Sequence, residues 1–192
     1  AENASPDPEL RQRHKLAASL AETLTPLLKY FATEMGNRVC YQAVQIHGGV
    51  GYMREFNVER HFRDVRVTNI YEGTSQLQVV AVTGKLLGHA LDPLLEGWAA
   101  AAPAPELADL HARLVQANLL FLRTTDALKD QPREQIDYSA VDLADMAAIL
   151  VSAWLLLQDA PHSPAKLDLA RAYLAEHLPS LRAAAERISS AS

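Results

Sequence analysis

Apolar side chains recur at three- and four-residue spacing through almost the whole chain, and no stretch alternates apolar with polar residues as a half-buried strand would. That periodicity restricts the fold to helices packed on helices. The clearest stripe is Leu27, Leu28, Phe31, Met35, Val39, Ala43 and Ile46. Leu10, Leu16, Leu20 and Leu24 make an earlier run. Thr25-Pro26, a threonine N-cap before a proline at the first helical position, marks a new helix start between them. Gly36 lies inside the stripe and costs about 1 kcal/mol against alanine, a cost that a closely crossing helix would explain.

Later seams follow the same rule. Leu107, Leu110, Leu114, Phe121, Thr125 and Leu128 form one. Val141, Ala144, Ala148, Val151 and Leu155 form another, on a helix so apolar all round that it should be largely buried. Leu167, Ala170, Leu174, Leu178, Leu181 and Ile188 form the last, kinked or split at Pro179. The run AAAAPAP divides the chain, giving residues 1–98, a linker at 99–105 and residues 106–192. The expected fold is all-α, two consecutive antiparallel helical bundles.

Glycine interrupts the helical pattern on both sides of a short segment between Gln45 and Gln78. Gly48-Gly49-Val50-Gly51 follows Gln45-Ile46-His47; such a turn either caps a helix or exposes backbone N–H groups that a ligand can approach closely. Val58, Phe62, Val65 and Ile70 give the next segment an apolar face, with Glu59–Arg63 and Arg60–Asp64 four apart beside it. Glu72 then stands between Ile70-Tyr71 and Gly73. Apolar walls disfavour a charged carboxylate and suit it to act as a general base near neutral pH; the plainer alternative is a solvated loop residue. Thr74 or Ser75 opens a further helix that carries Leu77, Val80, Ala81 and Lys85-Leu86-Leu87 and closes at Gly88. Ser75 with Gln78 fits a capping box, and the hydroxyls and free N–H groups suit a polar cofactor or an ordinary cap.

Other chemistries lack support. A net charge of -5 without a basic face argues against nucleic acid. Seven histidines show no metal-ligand spacing, so no metal site is expected. The single cysteine, Cys40, fits a small core residue and a reducing compartment. No signal peptide opens the sequence, and the longest apolar run, Met146 to Leu157, is too short to span a bilayer. A cytoplasmic location is expected.

Together the glycine-flanked residues resemble the acyl-CoA dehydrogenase flavoprotein family. Gln45-Ile46-His47-Gly48-Gly49-Val50-Gly51-Tyr52 is similar to its Q-x-x-G-G-x-G-[FY] turn, Arg63-Asp64 to its R-D pair, and Ile70-Tyr71-Glu72-Gly73-Thr74-Ser75 to its I-Y-E-G-T-[SN] signature. The resemblance is strong over residues 26–87; residues 106–192 resemble the helical extension appended in a subgroup.

It implies that Glu72 abstracts the α-proton of an acyl-CoA thioester while hydride leaves the β-carbon for FAD, giving a trans-2-enoyl-CoA. Under the same resemblance the Glu72 N–H polarises the thioester carbonyl and Gly73 lines the substrate channel. Thr74, Ser75 and Gln76 contact FAD, while Gln45, Ile46, His47, Gly48 and Gly49 reach the FAD of a neighbouring subunit. Arg63 and Asp64 are structural. A homodimer or homotetramer serving electron-transfer flavoprotein is implied. The family's N-terminal helical and middle β domains have no counterpart here, so the chain is expected to be inactive alone. A non-catalytic assembly scaffold, an oxidase of the same fold and a nucleic-acid-binding relative are the competing readings, the last opposed by the charge.

Overall fold

The computed structural model describes residues 7–190, and these are helical with no strand among them. Helix α1 (Pro8–His47) begins at Asp7, whose Oδ1 accepts from the Glu9 N–H at 2.9 Å. At about 1.5 Å per residue its 40 residues run roughly 60 Å. The expected new start at Thr25-Pro26 does not occur, because Pro26 lies inside this one helix. Local preference opposes that by about 3 kcal/mol. Packing overrides it: Thr23, Leu27 and Tyr30, flanking the proline, are buried, and Leu20, Leu24 and Phe31 also pack on the core.

A 3-10 turn (Gly48–Tyr52) leads to α2 (Asn57–Val65), which returns across α1. Gly36 marks the crossing: a Cβ there would lie 3.2 Å from Val65 Cγ2, the close approach its position in the stripe called for. After a second 3-10 turn (Arg66–Asn69) come α3 (Ser75–Leu87) and α4 (Asp92–Ala100). The turn between them places His89 against Asp92 on one ring nitrogen, 2.8 Å, and against Asp126 of the following helix on the other, 3.3 Å.

Helices α5 (Ala108–Lys129), α6 (Arg133–Asp159) and α7 (Pro164–Ser190) complete the chain. Pro179 neither ends nor splits α7. The seams read from sequence on α5 and α7 are buried, apart from the half-buried Leu167. On α6 the inward face is different: Leu143, Met146, Leu150 and Trp154 are buried with Ala144 and Ala148, whereas Val141 and Leu155 stand about half exposed. A helix apolar on all sides does not declare which side is inside. Helix α6 and the turn after it are long and apolar enough to cross a membrane, but most of that surface is buried against α1, α3, α5 and α7. One core therefore joins α1 and α3 of the first half to α5–α7 of the second.

Candidate functional site

A polar line on α1 holds the loop that carries Glu72. Lys29, Thr33 and Asn37 lie four residues apart, hence on one face. The Lys29 ammonium donates to the carbonyls of Thr68 at 2.6 Å, Tyr71 at 3.1 Å and Gly73 at 2.9 Å, and lies 5.5 Å from the centroid of the Tyr71 ring. Glu72 thus sits between two anchored carbonyls. Its own carbonyl accepts from Gln78 Nε2 at 3.1 Å.

With the chain pinned on both sides, Glu72 adopts φ 52° and Gly73 φ 92°. A non-glycine residue in the left-handed region costs about 1–2 kcal/mol and persists where its surroundings over-determine it, often at a functional site. Gly73 is suited to its place by its φ; a Cβ there would meet only Gln78 Nε2 at 2.7 Å, the end of a side chain that can move, at the cost of its bond to the Glu72 carbonyl. Neither the Glu72 carboxylate nor its N–H has a hydrogen-bond partner among the described residues, and the side chain is exposed. The apolar wall expected around it is not formed by this chain, since Ile70 and Tyr71 are themselves 54% and 49% exposed.

The cap of α3 also departs from the sequence reading. Thr74, not Ser75, is the N-cap, with Oγ1 accepting from the Leu77 N–H at 3.3 Å, and Gln78 reaches back to Glu72 rather than to a Ser75 box. Ser75 is buried. Its hydroxyl donates to Glu34 Oε1 at 2.6 Å and accepts from Asn69 Nδ2 at 3.2 Å. Asn69 donates to the same Glu34 oxygen at 2.6 Å and accepts from Asn37. The Ser75 hydroxyl is therefore turned inward and committed to the fold. Gln76 is exposed and lines a polar cleft of about 340 Å³ with Arg66, Glu34, Asn37, Asn69 and Ser75. Sequence reasoning missed Lys29, Glu34, Asn37 and Asn69. Lys29 and Asn37 left a faint signal in the four-residue polar spacing on α1, opposite the apolar stripe; Glu34 and Asn69 left none.

The glycine turn lies elsewhere. Gly48, at φ 64°, caps α1 by donating to the Gln45 carbonyl. Gly51 is sterically required, because a Cβ would sit 2.6 Å from His47 Cβ and 2.8 Å from the Val44 carbonyl oxygen. His47 Nδ1 donates to the Ala43 carbonyl at 2.8 Å and its ring packs edge-on against Phe56. Ile46 is 83% exposed, and Gln45, Gly48 and Gly49 are exposed as well. Gln45 follows Lys29 by 16 residues on one helix, so the turn stands about 24 Å along the axis from the anchor of the Glu72 loop. The chain does not bring its two glycine-flanked segments together.

Arg63 and Asp64 form exposed pairs on α2, with Arg63–Glu59 at 3.7 Å, Arg63–Asp64 at 3.6 Å and Arg60–Asp64 at 3.4 Å, as expected of structural charges. Cys40 is half-buried, not enclosed in the core. No cluster of metal-ligating side chains exists among the described residues.

Comparison with known proteins bears on residues 10–87, which match the family described as "Acyl-CoA dehydrogenase, C-terminal domain". A 61-residue segment is 54% identical to the caffeyl-CoA reductase-Etf complex subunit CarC of Acetobacterium woodii, covering 32% of this chain and 16% of that one. Over 61 residues the identity to the mitochondrial short-chain specific acyl-CoA dehydrogenase of Bos taurus is 49%, covering 32% and 15%. The matched part is thus about a sixth of the relatives' length. A crystal structure of an acyl-CoA dehydrogenase complexed with FAD from Bacillus anthracis superposes on 97% of this chain and 36% of its own, with a TM-score of 0.72 and 24% identity. That likeness shows that α1–α7 follow a known fold.

Proposed function

We propose, from the match of residues 10–87 to the C-terminal domain of acyl-CoA dehydrogenases, that Glu72 is the base of an FAD-dependent α,β-dehydrogenation of an acyl-CoA thioester. The observation that carries the reading is the pinned Glu72 loop: an exposed residue whose carboxylate and N–H are both unpartnered among the described residues, on a backbone fixed by Lys29 and Gln78.

Each group has one task. The carboxylate takes the α-proton. The N–H donates to the thioester carbonyl, which stabilises the negative charge that develops as the proton leaves. Gly73, without a side chain, lets the acyl chain pass close to the backbone. Bound FAD supplies the acceptor for hydride from the β-carbon, and the product is a trans-2-enoyl-CoA.

The residues present fit such a cofactor in part. Thr74 and exposed Gln76 stand at the start of α3, where unpaired N–H groups favour an anionic or polar group. Ser75 holds the cap from inside and contributes its backbone rather than its hydroxyl. Gln45 to Gly49, about 24 Å away along α1, serve the FAD of a second subunit, so the working assembly is a homodimer or homotetramer. Electron-transfer flavoprotein is the proposed acceptor. The exposed Glu72 needs walls from further protein surface, so the chain by itself is inactive.

The test uses the intact enzyme: Glu72→Gln should abolish acyl-CoA-dependent bleaching of the flavin while FAD stays bound. Bleaching at an unchanged rate would remove Glu72 from the mechanism.

A further inference from the structure

A polar cleft of about 230 Å³ lies on the seam where α1 meets α6 and α7, between the segment matched to the dehydrogenase family and helices outside it. Charges of both signs line it: Glu34 and Arg38 from α1, Asp145 from α6 and Arg187 from α7. Arg187 is committed, since it donates to the two oxygens of Asp142 at 3.2, 3.1 and 2.5 Å.

The other three keep free capacity. Asp145 accepts from the Tyr30 hydroxyl at 2.8 Å through one oxygen, and Glu34 accepts from Ser75 and Asn69 through one oxygen. The second oxygen of each has no partner among the described residues. Neither is sealed off, because the enclosed side-chain atoms that lack a partner are His111 Nε2 and Tyr173 Oη. Arg38 is exposed and makes no hydrogen bond or ion pair among the described residues. It is nevertheless near. Burial pushes the Asp145 carboxyl above the usual carboxylate range, and the Tyr30 bond and the Arg38 charge act against that rise. A guanidinium and a carboxylate that attract across a cleft without closing on each other leave room for a molecule between them.

The two walls limit what that molecule is. A simple anion would face Glu34 and Asp145, a simple cation would face Arg38, and like charges so placed cost affinity. A molecule that carries both signs on neighbouring atoms satisfies both walls. Phe31, Met35 and Ile149 give its remainder an apolar lining. The volume falls below the roughly 300–1,000 Å³ of pockets that take drug-sized ligands, so the molecule is small.

We propose that this cleft binds a zwitterionic α-amino acid with an apolar side chain, its carboxylate on Arg38 and its ammonium on the free oxygen of Asp145. Glu34, which also acts on Asp145, adds negative charge beside the ammonium. The site uses neither Glu72 nor the acyl-CoA thioester.

Three probes that share a carbon skeleton and differ in charge test this by calorimetry on the full chain. They are L-leucine, isocaproate, which lacks the ammonium, and isopentylamine, which lacks the carboxylate. L-leucine should bind saturably, and each of the others at least about tenfold more weakly, the worth of one charge-assisted hydrogen bond. Arg38→Met, at an exposed position, should weaken L-leucine by a similar factor without weakening isopentylamine. Asp145→Asn should weaken L-leucine and isopentylamine without weakening isocaproate; if that variant fails to fold, the three probes and Arg38→Met decide the matter. Non-saturable L-leucine binding, equal affinity of the unsubstituted chain for the three probes, or L-leucine binding unchanged in Arg38→Met would each overturn the proposal.

Discussion

In α5–α7 apolar side chains meet one another, whereas from α1 to α3 many of the same kind face outward. Leu114, Phe121, Leu143, Leu174 and Leu181 are almost wholly enclosed. Ile46, Tyr52, Met53, Phe62, Leu77 and Val80 are not, and most of the large exposed apolar residues of the chain lie in this first part. So many exposed apolar side chains in one half of a chain fit a surface that other protein covers. The contrast separates two jobs: the second half seals the core that holds the fold, and the first half presents a surface on which the proposed site is completed by further protein.

The comparison makes quantitative demands. Leu143→Ala, which opens a hole in the sealed half, should cost about 2–5 kcal/mol in denaturant unfolding. A loss well below 1 kcal/mol would mean that the half-cores are not organised as described.

Next in size is Lys29→Met. It strips a charged donor from three carbonyls, each such bond being worth about 1.5–3 kcal/mol before relaxation. Because the loop can relax into water, its main effect should be local: amide exchange at residues 71–73 should accelerate far more than in α5–α7. Uniform acceleration would break the claim that Lys29 acts on the Glu72 loop.

A smaller effect concerns the seam between the halves. Asp145 on α6 accepts from the Tyr30 hydroxyl of α1 at 2.8 Å, and burial pushes its carboxyl above the usual carboxylate range despite that bond. Arg38 opposes the rise, while Asp142 and Glu34 add to it. The folded state thus holds the proton more tightly than the unfolded one. Stability from this group is fully present below the unfolded value and is lost as pH rises through the folded value. Asp145→Asn, which can still accept from Tyr30, should unfold at a higher temperature than the unsubstituted chain at pH 7 and lose that advantage near pH 3. An advantage that grows toward acid would reverse the assignment. The smallest effect belongs to the open half: Leu77→Ala should change stability by less than about 0.5 kcal/mol.

The same contrast decides what the sequence could reveal. The α5 and α7 seams were legible because partner helices from this chain complete them, so spacing alone found Leu114, Phe121, Leu174 and Leu181. On α3 it was less informative. Of the apolar residues Leu77, Val80, Ala81, Leu86 and Leu87 that marked the helix, Leu86 is buried and Leu87 half-buried whereas Leu77, Val80 and Ala81 are exposed, and the buried Val79 and Val82 did not stand out. Both faces of α3 are apolar, and spacing cannot say which one this chain covers. Pro26 misled for a related reason, as the packing of Leu27 and Tyr30 outweighs a local signal.

Within the site, Glu72, Gly73 and the Thr74 start of α3 stand out through glycine and capping chemistry. Lys29 and the Glu34–Asn37–Asn69–Ser75 network did not, because they act across some 30 to 45 residues of chain and only folding brings them together.

The account rests on Glu72 moving a proton, and the most direct measurement is α-proton exchange. The intact enzyme incubated with an acyl-CoA in D2O should carry deuterium into the α-carbon of the substrate. Glu72→Gln should lose that exchange while keeping its FAD content. Exchange in Glu72→Gln at the rate of the unsubstituted enzyme would contradict the account.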